Sequence, residues 1–219
     1  MVDPGTKTAL VAGATGLVGS RLVNLLCADP AWGKVVVLAR RKDGPAHPKL
    51  QELIADFDHL AEVVLPPVDA AFCCLGTTIK RAGSEAAFRR VDHDYVLAFA
   101  RRALAAGARQ FLLVSALGAD AHSAVFYNRV KGEAEAAVAA LGYASASFFR
   151  PSLLAGPRRE FRLGERLTLA LIRPVRALLP ASIRPIDDVT VARAMLAAAH
   201  AAQPGVRIIP SGEMQRYAA

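Results

Sequence analysis

Residues 8–19 read TALVAGATGLVG. Five residues, Thr8 to Ala12, make an apolar run short enough for a strand, and the run breaks at Gly13. From Leu17 to Ala28 the apolar positions recur at a helical period. Between strand and helix lie Gly13, Gly16 and Gly19, spaced GxxGxxG. A glycine at the strand end permits a tight turn with unusual backbone angles. A bare backbone at Gly16 lets a pyrophosphate come close, and Gly19 lets the helix lie against the sheet. The N–H groups at the helix start then face the phosphates, with the positive end of the helix dipole behind them. Thr15, Leu17 and Val18 therefore join the three glycines as cofactor-binding positions. A glycine triplet alone is a weak signal; one placed between strand and helix predicts a dinucleotide site.

Outward from this turn the same alternation continues. Apolar strand-like runs stand at KVVVLAR (34–40), KLQELIADF (49–57), DAAFCCLG (69–76), RQFLLVSA (109–116), SASFFRP (145–151) and GVRIIPSG (205–212). Helical patterns fill the spaces: about Ser84 to Ala106 with Gly107 as a stop, from Tyr127 to about Leu141, and DDVTVARAMLAAAHAA (187–202) with Asp187 or Asp188 as its N-cap. Continuous apolar strands alternating with helices predict an α/β fold, a doubly wound parallel sheet buried on both faces. One domain over residues 1–219 is expected, with a small C-terminal lid mainly in 152–188.

Composition narrows the function. The chain has 219 residues, 53% apolar and 21% charged, and carries a formal net charge of +8. The basic residues fall in scattered pairs such as Arg89-Arg90 and Arg101-Arg102 rather than in a run, which weakens the case for nucleic acid; the charge reads as a solvated Arg-rich surface, or as suited to an anionic membrane or an anionic small ligand. Three cysteines and five histidines show no metal-ligand or disulfide spacing, so no metal is expected. No apolar run reaches the roughly 18 residues of a membrane span, and the first residues lack a signal-peptide pattern, so a cytoplasmic setting is expected. Residues 161–180, FRLGERLTLALIRPVRALLP, form an apolar stripe beside a basic one. They read as a lid with a solvated basic face, or as a surface for an anionic substrate, a membrane or an acidic protein.

An acidic residue about 20 positions beyond the glycine turn would bind the ribose 2′-hydroxyl of NAD. At that distance stand Arg40 and Arg41, followed by Lys42. Guanidinium groups there would attract a 2′-phosphate, which predicts NADP(H) over NAD(H).

Tyr127 and Lys131, four positions apart, share one face of a helix. An ammonium beside a phenol favours the phenolate and suits the phenol to proton exchange with a carbonyl or alcohol oxygen. Ser115, at the end of the fifth strand, is placed to hold that oxygen. Together GATGLVG, CCLGTT, VDHDYV, LLVSALGAD, YNRVKGEAE and FFRPSLL resemble the atypical short-chain dehydrogenases/reductases, in the branch similar to the Tat-interacting protein. The likeness spans about residues 6–200. It implies a Rossmann fold in which Ser115 orients a carbonyl, Tyr127 is the acid/base, and Lys131 contacts the nicotinamide ribose and tunes Tyr127. It further implies that Asp56 and Phe57 border the adenine, that Leu75, Gly76 and Thr77 line the cofactor, and that Pro151 and Leu154 flank the nicotinamide. The typical branch has an Asn in the fourth helix that relays protons; here VDHDYV offers Asp92 and Asp94. Three functions stay open: an NADP(H)-dependent reductase of a small-molecule carbonyl, an NADPH-binding regulator acting on a protein partner and, as the weakest, a nucleic-acid binder using its positive charge. The oligomeric state is not legible.

Overall fold

The computed structural model describes residues 6–42, 47–155 and 180–218. Strand β1 (Lys7–Ala12) leads into helix α1 (Leu17–Ala28), followed by β2 (Trp32–Ala39), β3 (Leu50–Ile54) and β4 (Ala70–Cys73). A short helix α2 (Ile79–Ala82) precedes α3 (Glu85–Arg89), a π turn (Arg90–Asp94) and α4 (Tyr95–Ala105). Then come β5 (Gln110–Val114), α5 (Phe126–Ala139), β6 (Ser145–Arg150), β7 (Leu154–Ala155), β8 (Ile186–Asp187), α6 (Asp188–Ala201) and β9 (Gly205–Pro210).

Seven strands form one sheet in the order β3-β2-β1-β4-β5-β6-β9, and every pairing is parallel. The strand order reverses between β1 and β4, which opens a crevice beyond their carboxyl ends. Alternation along the strands sends side chains to two separate cores. Val11, Val35, Val37, Phe72 and Phe149 pack with Leu22 and Leu26 of α1 and Met195 of α6. Leu10, Val36, Leu38, Cys73 and Phe148 pack on the other face with Phe99 of α4 and Val138 of α5. Both faces are thus apolar, which explains the unbroken runs in the sequence. Each large side chain so buried contributes about 1.5–3 kcal/mol.

The long helix expected over 84–106 is divided. Ser84 does cap its start, its side chain accepting from the Ala87 N–H. The π turn then inserts an extra residue, and its Asp92 side chain lies in the interior. Asp187 occupies the N-cap position of α6 without a side-chain capping bond. Asp188 instead accepts from the Val189 N–H and pairs with Arg21 of α1, tying the two helices together. Two histidines meet carboxylates: His200 lies 2.7 Å from Asp29 and His93 2.7 Å from Asp94. A two-stranded parallel pairing of β7 with β8, which the sequence pattern did not announce, gathers the chain after β6. The basic stripe of 161–180 lies almost wholly outside the described residues, and with it most of the expected lid. Among the described residues no helix is long and apolar enough to cross a membrane.

Cys27 and Cys73 are buried, and Cys74 lies partly buried just beyond β4. Burial pushes the Cys73 thiol up to about 12, so almost no thiolate exists near neutrality. An alkylating reagent should therefore label Cys27 and Cys73 only as fast as the protein unfolds. Mass spectrometry of the folded and denatured protein tests this, and rapid labelling of folded Cys73 would contradict the packing.

Candidate functional site

The glycine turn is built by contact. Gly13 sits at φ +81°, and a Cβ there would lie 2.4 Å from the Cys74 carbonyl carbon and oxygen. A Cβ at Gly19 would lie 2.1 Å from the Gly13 carbonyl oxygen, so only hydrogen lets α1 begin this close to the strand end. The Gly16 N–H donates to that same oxygen at 3.0 Å. Helix α1 starts with no side-chain cap and no acidic residue in its first turn. Its leading amides, which have no intrahelical acceptor, thus point into the crevice with the helix dipole unopposed. Thr15 and Gly16 are exposed there, whereas the Val18 side chain is buried in the core, so only its backbone can serve a ligand. A concave turn of this shape, with bare amides and no counter-charge, fits a dinucleotide pyrophosphate.

Arg40 and Arg41 follow directly on β2 and are exposed at its carboxyl end. Asp56 is exposed too, but its carboxylate accepts from the Asp58 N–H at 3.0 Å. The Phe57 ring is packed into the core, its centroid 5.6 Å from that of Tyr95.

Beyond β4, β5 and β6 the second half of the site assembles. The Ser115 N–H donates to Phe149 O at 2.7 Å, which fixes the residue at the strand end. Its Oγ is buried and, among the described residues, makes no hydrogen bond. A buried hydroxyl without a partner costs about 1–3 kcal/mol. Such an atom just beyond the end of β5 is what a ligand oxygen would satisfy. The Tyr127 ring leans on Phe88 of α3 with 5.3 Å between centroids.

Lys131 turns inward, 5% exposed, and its Nζ lies 2.8 Å from Asp92 Oδ1. The other carboxylate oxygen accepts from the Thr77 N–H at 2.9 Å. One buried carboxylate thereby joins the π turn, the loop after β4 and helix α5. Burial opposes the lysine's charge, but Asp92 and Tyr127 outweigh it and raise its pKa above the usual value. Gly76 lies against this pair: a Cβ there would be 3.6 Å from Lys131 Nζ. Removing one partner of such a buried pair costs about 3–5 kcal/mol.

Ser115, Tyr127, Lys131, Gly76 and Thr77 thus stand at the carboxyl side of the central strands, as does the glycine turn. The Pro151 carbonyl accepts from the Leu117 N–H at 3.0 Å, and Leu154 lies in β7. Three parts of the site escaped the sequence reading. Asp92, a departure from the Asn of the typical branch in the sequence pattern, is the partner of Lys131. Gly132 admits the loop after β5, since a Cβ on it would sit 2.2 Å from the Asp120 and Ala121 backbone. Glu135 forms a two-pronged pair with Arg150, at 3.1 and 2.6 Å, locking α5 to the end of β6. A glycine inside a helix, beside the key lysine, was the available signal for the second.

Among the described residues no cluster of His, Cys, Asp and Glu could hold a metal ion. The sequence profile of the family described as "Semialdehyde dehydrogenase, NAD binding domain" matches residues 8–125. Protein HTATIP2 of Rattus norvegicus is 39% identical over 198 residues, covering 87% of this chain and 80% of the relative. "Protein FMP52, mitochondrial" of Coccidioides immitis is 32% identical, covering 95% and 91%. An oxidoreductase of the short-chain dehydrogenase/reductase family from Burkholderia thailandensis superposes with a TM-score of 0.69 at 18% identity, covering 95% of this chain and 92% of that one. MoeE5, solved with UDP-glucose and NAD, gives 0.69 at 18% identity, covering 92% and 74%. Fold and site define a nicotinamide-dinucleotide-binding Rossmann protein of the oxidoreductase type. Within that class the chain belongs to the atypical short-chain dehydrogenase/reductase family, in its HTATIP2-like branch.

Proposed function

We propose that the protein is an NADP(H)-dependent oxidoreductase acting on the carbonyl or alcohol of a small, anionic organic molecule. The observation that carries this reading is the buried Ser115 Oγ, without a hydrogen-bond partner among the described residues, at the carboxyl side of the same sheet as Tyr127 and the inward Lys131. Bound at the glycine turn, a reduced nicotinamide would supply the hydride. Ser115 donates a hydrogen bond to the substrate oxygen, and Tyr127 gives that oxygen its proton. Lys131, its Nζ 2.8 Å from Asp92 Oδ1, carries three N–H donors that suit ribose hydroxyls. Leu75, Gly76, Thr77, Pro151 and Leu154 border the nicotinamide half, and Asp56 and the Phe57 backbone border the adenine half. A net charge of +8 favours an anionic substrate through long-range attraction.

Preference for the phosphorylated coenzyme rests on Arg40 and Arg41. Charge-assisted hydrogen bonds of this kind contribute about 1.5–3 kcal/mol. Arg40→Asp should therefore lower the NADPH-to-NADH affinity ratio by roughly 10- to 100-fold, as read by calorimetric titration with both coenzymes. An unchanged ratio would defeat the assignment. The unpaired cysteines suit a reducing compartment, for which the cytoplasm is our reading; the FMP52 relatives carry the word mitochondrial in their names.

Turnover itself is tested with a panel of aldehydes and ketones, following NADPH absorbance. Oxidation with at least one anionic carbonyl is expected. Tight coenzyme binding with no oxidation across the panel would leave a coenzyme-binding regulator and sink the enzymatic reading.

A further inference from the structure

The carboxylate of Asp92 is 1% exposed and touches two parts of the site at once. Its place is a π turn, an irregularity found frequently at functional sites. An unpaired ammonium at the depth of Lys131 would shed its proton, as buried lysines do when nothing compensates the lost solvation. We propose that Asp92 is a positioning residue of the site: it holds Lys131 as an ammonium and anchors it to the Thr77 amide, so that the charge presented to Tyr127 depends on a residue of another helix. This deepens the oxidoreductase reading and rests on it for the role of Tyr127.

The groups facing Lys131 are few. Asp92 reaches it from the π turn, Tyr127 from one turn earlier on α5, and Cys73 from β4. Cys73 stays a neutral thiol up to about pH 12, because burial opposes its ionisation. Asp94, two residues from Asp92, is engaged with His93. Among the described residues, Asp92 is therefore the carboxylate that faces the lysine. Its loss should convert a lysine that stays charged into the mildly alkaline range into one that does not. The hydrogen bond to Thr77 sets the height of the loop after β4, so the same carboxylate also fixes where Gly76 and Thr77 meet the coenzyme.

The test is the Asp92→Asn variant, which keeps the shape and an acceptor for the Thr77 N–H but removes the charge. Carbon-13 NMR of lysine Cε, with the Lys131 signal identified by its absence in Lys131→Met, follows the amine directly. Lys131 should titrate at least about one pH unit lower in Asp92→Asn than in the unaltered protein. The same midpoint in both would overturn the proposal and reduce Asp92 to a packing residue. Should Asp92→Asn not fold, the double variant Asp92→Asn/Lys131→Met decides. Recovery of a cooperative melt in the double variant assigns the damage to an uncompensated lysine and upholds the proposal. A double variant that also stays unfolded refutes it. The titration needs neither coenzyme nor substrate. Failure of the carbonyl panel with an intact Lys131 shift therefore sinks only the oxidoreductase reading, and the reverse result sinks only the role of Asp92.

Discussion

Gly19→Ala is expected to lose coenzyme binding by more than about a hundredfold and to destabilise the protein at the same time. The new methyl would stand 2.1 Å from the Gly13 carbonyl oxygen, 2.8 Å from its carbon and 3.0 Å from the Ala14 Cα. All three are backbone atoms, so no side chain can swing aside. Relief requires α1 to retreat from the end of β1, or the turn to open. Overpacking of this kind costs about 1–3 kcal/mol. Retreat also carries the leading amides of α1 away from the phosphates, and losing two charge-assisted hydrogen bonds at about 1.5 kcal/mol each accounts for the fall in affinity. Thermal melts of the coenzyme-free protein and calorimetric titration read the two effects separately. An alanine variant with unchanged melting and affinity would mean that the turn is not what holds the dinucleotide.

Tyr127→Phe should abolish most turnover and spare everything else. The phenylalanine ring keeps the packing against Phe88, whose centroid lies 5.3 Å away, so the fold has no reason to change. What disappears is one hydroxyl, the proton donor of the proposed reaction. General acid catalysis by a placed side chain is worth about 10²- to 10⁴-fold, so kcat should drop within that range. Coenzyme affinity should stay within a few-fold, because Lys131 remains clamped by Asp92. Single-turnover measurement of NADPH oxidation, with the best substrate from the panel, separates these quantities. Residual activity above about a tenth of the original would assign the proton to another group.

Much of the architecture was legible because it rests on local rules. Strand, turn and helix at 7–28 follow from apolar runs punctuated by glycine, and α1 occupies Leu17–Ala28 as the period predicts. The apolar runs are continuous because both sheet faces are covered, which is a property of parallel sheets and can be read along one strand. Tyr127 and Lys131 share a helix, so their spacing could be read as well. The division of the helix at Arg90–Asp94 could not, because a π turn leaves no mark in the apolar period. The pairing of β7 with β8 escaped for a related reason: two residues on each side are too few to show an alternation.

Taken by itself, the sequence determined the order of the main strands and helices, the glycine turn and the candidate side chains Ser115, Tyr127 and Lys131, since each is encoded within a dozen neighbouring residues. Only the tertiary structure decided what those side chains meet. Lys131 is 39 positions from Asp92 in the chain yet 2.8 Å away in space, and the Thr77 amide shares the same carboxylate. Glu135 finds Arg150 across a helix–strand boundary, and the Ser115 hydroxyl is buried with no hydrogen-bond partner among the described residues. Burial is the physical reason. It removes water as the default partner of a charge or a hydroxyl, so its state is fixed by whichever distant group the fold brings to it.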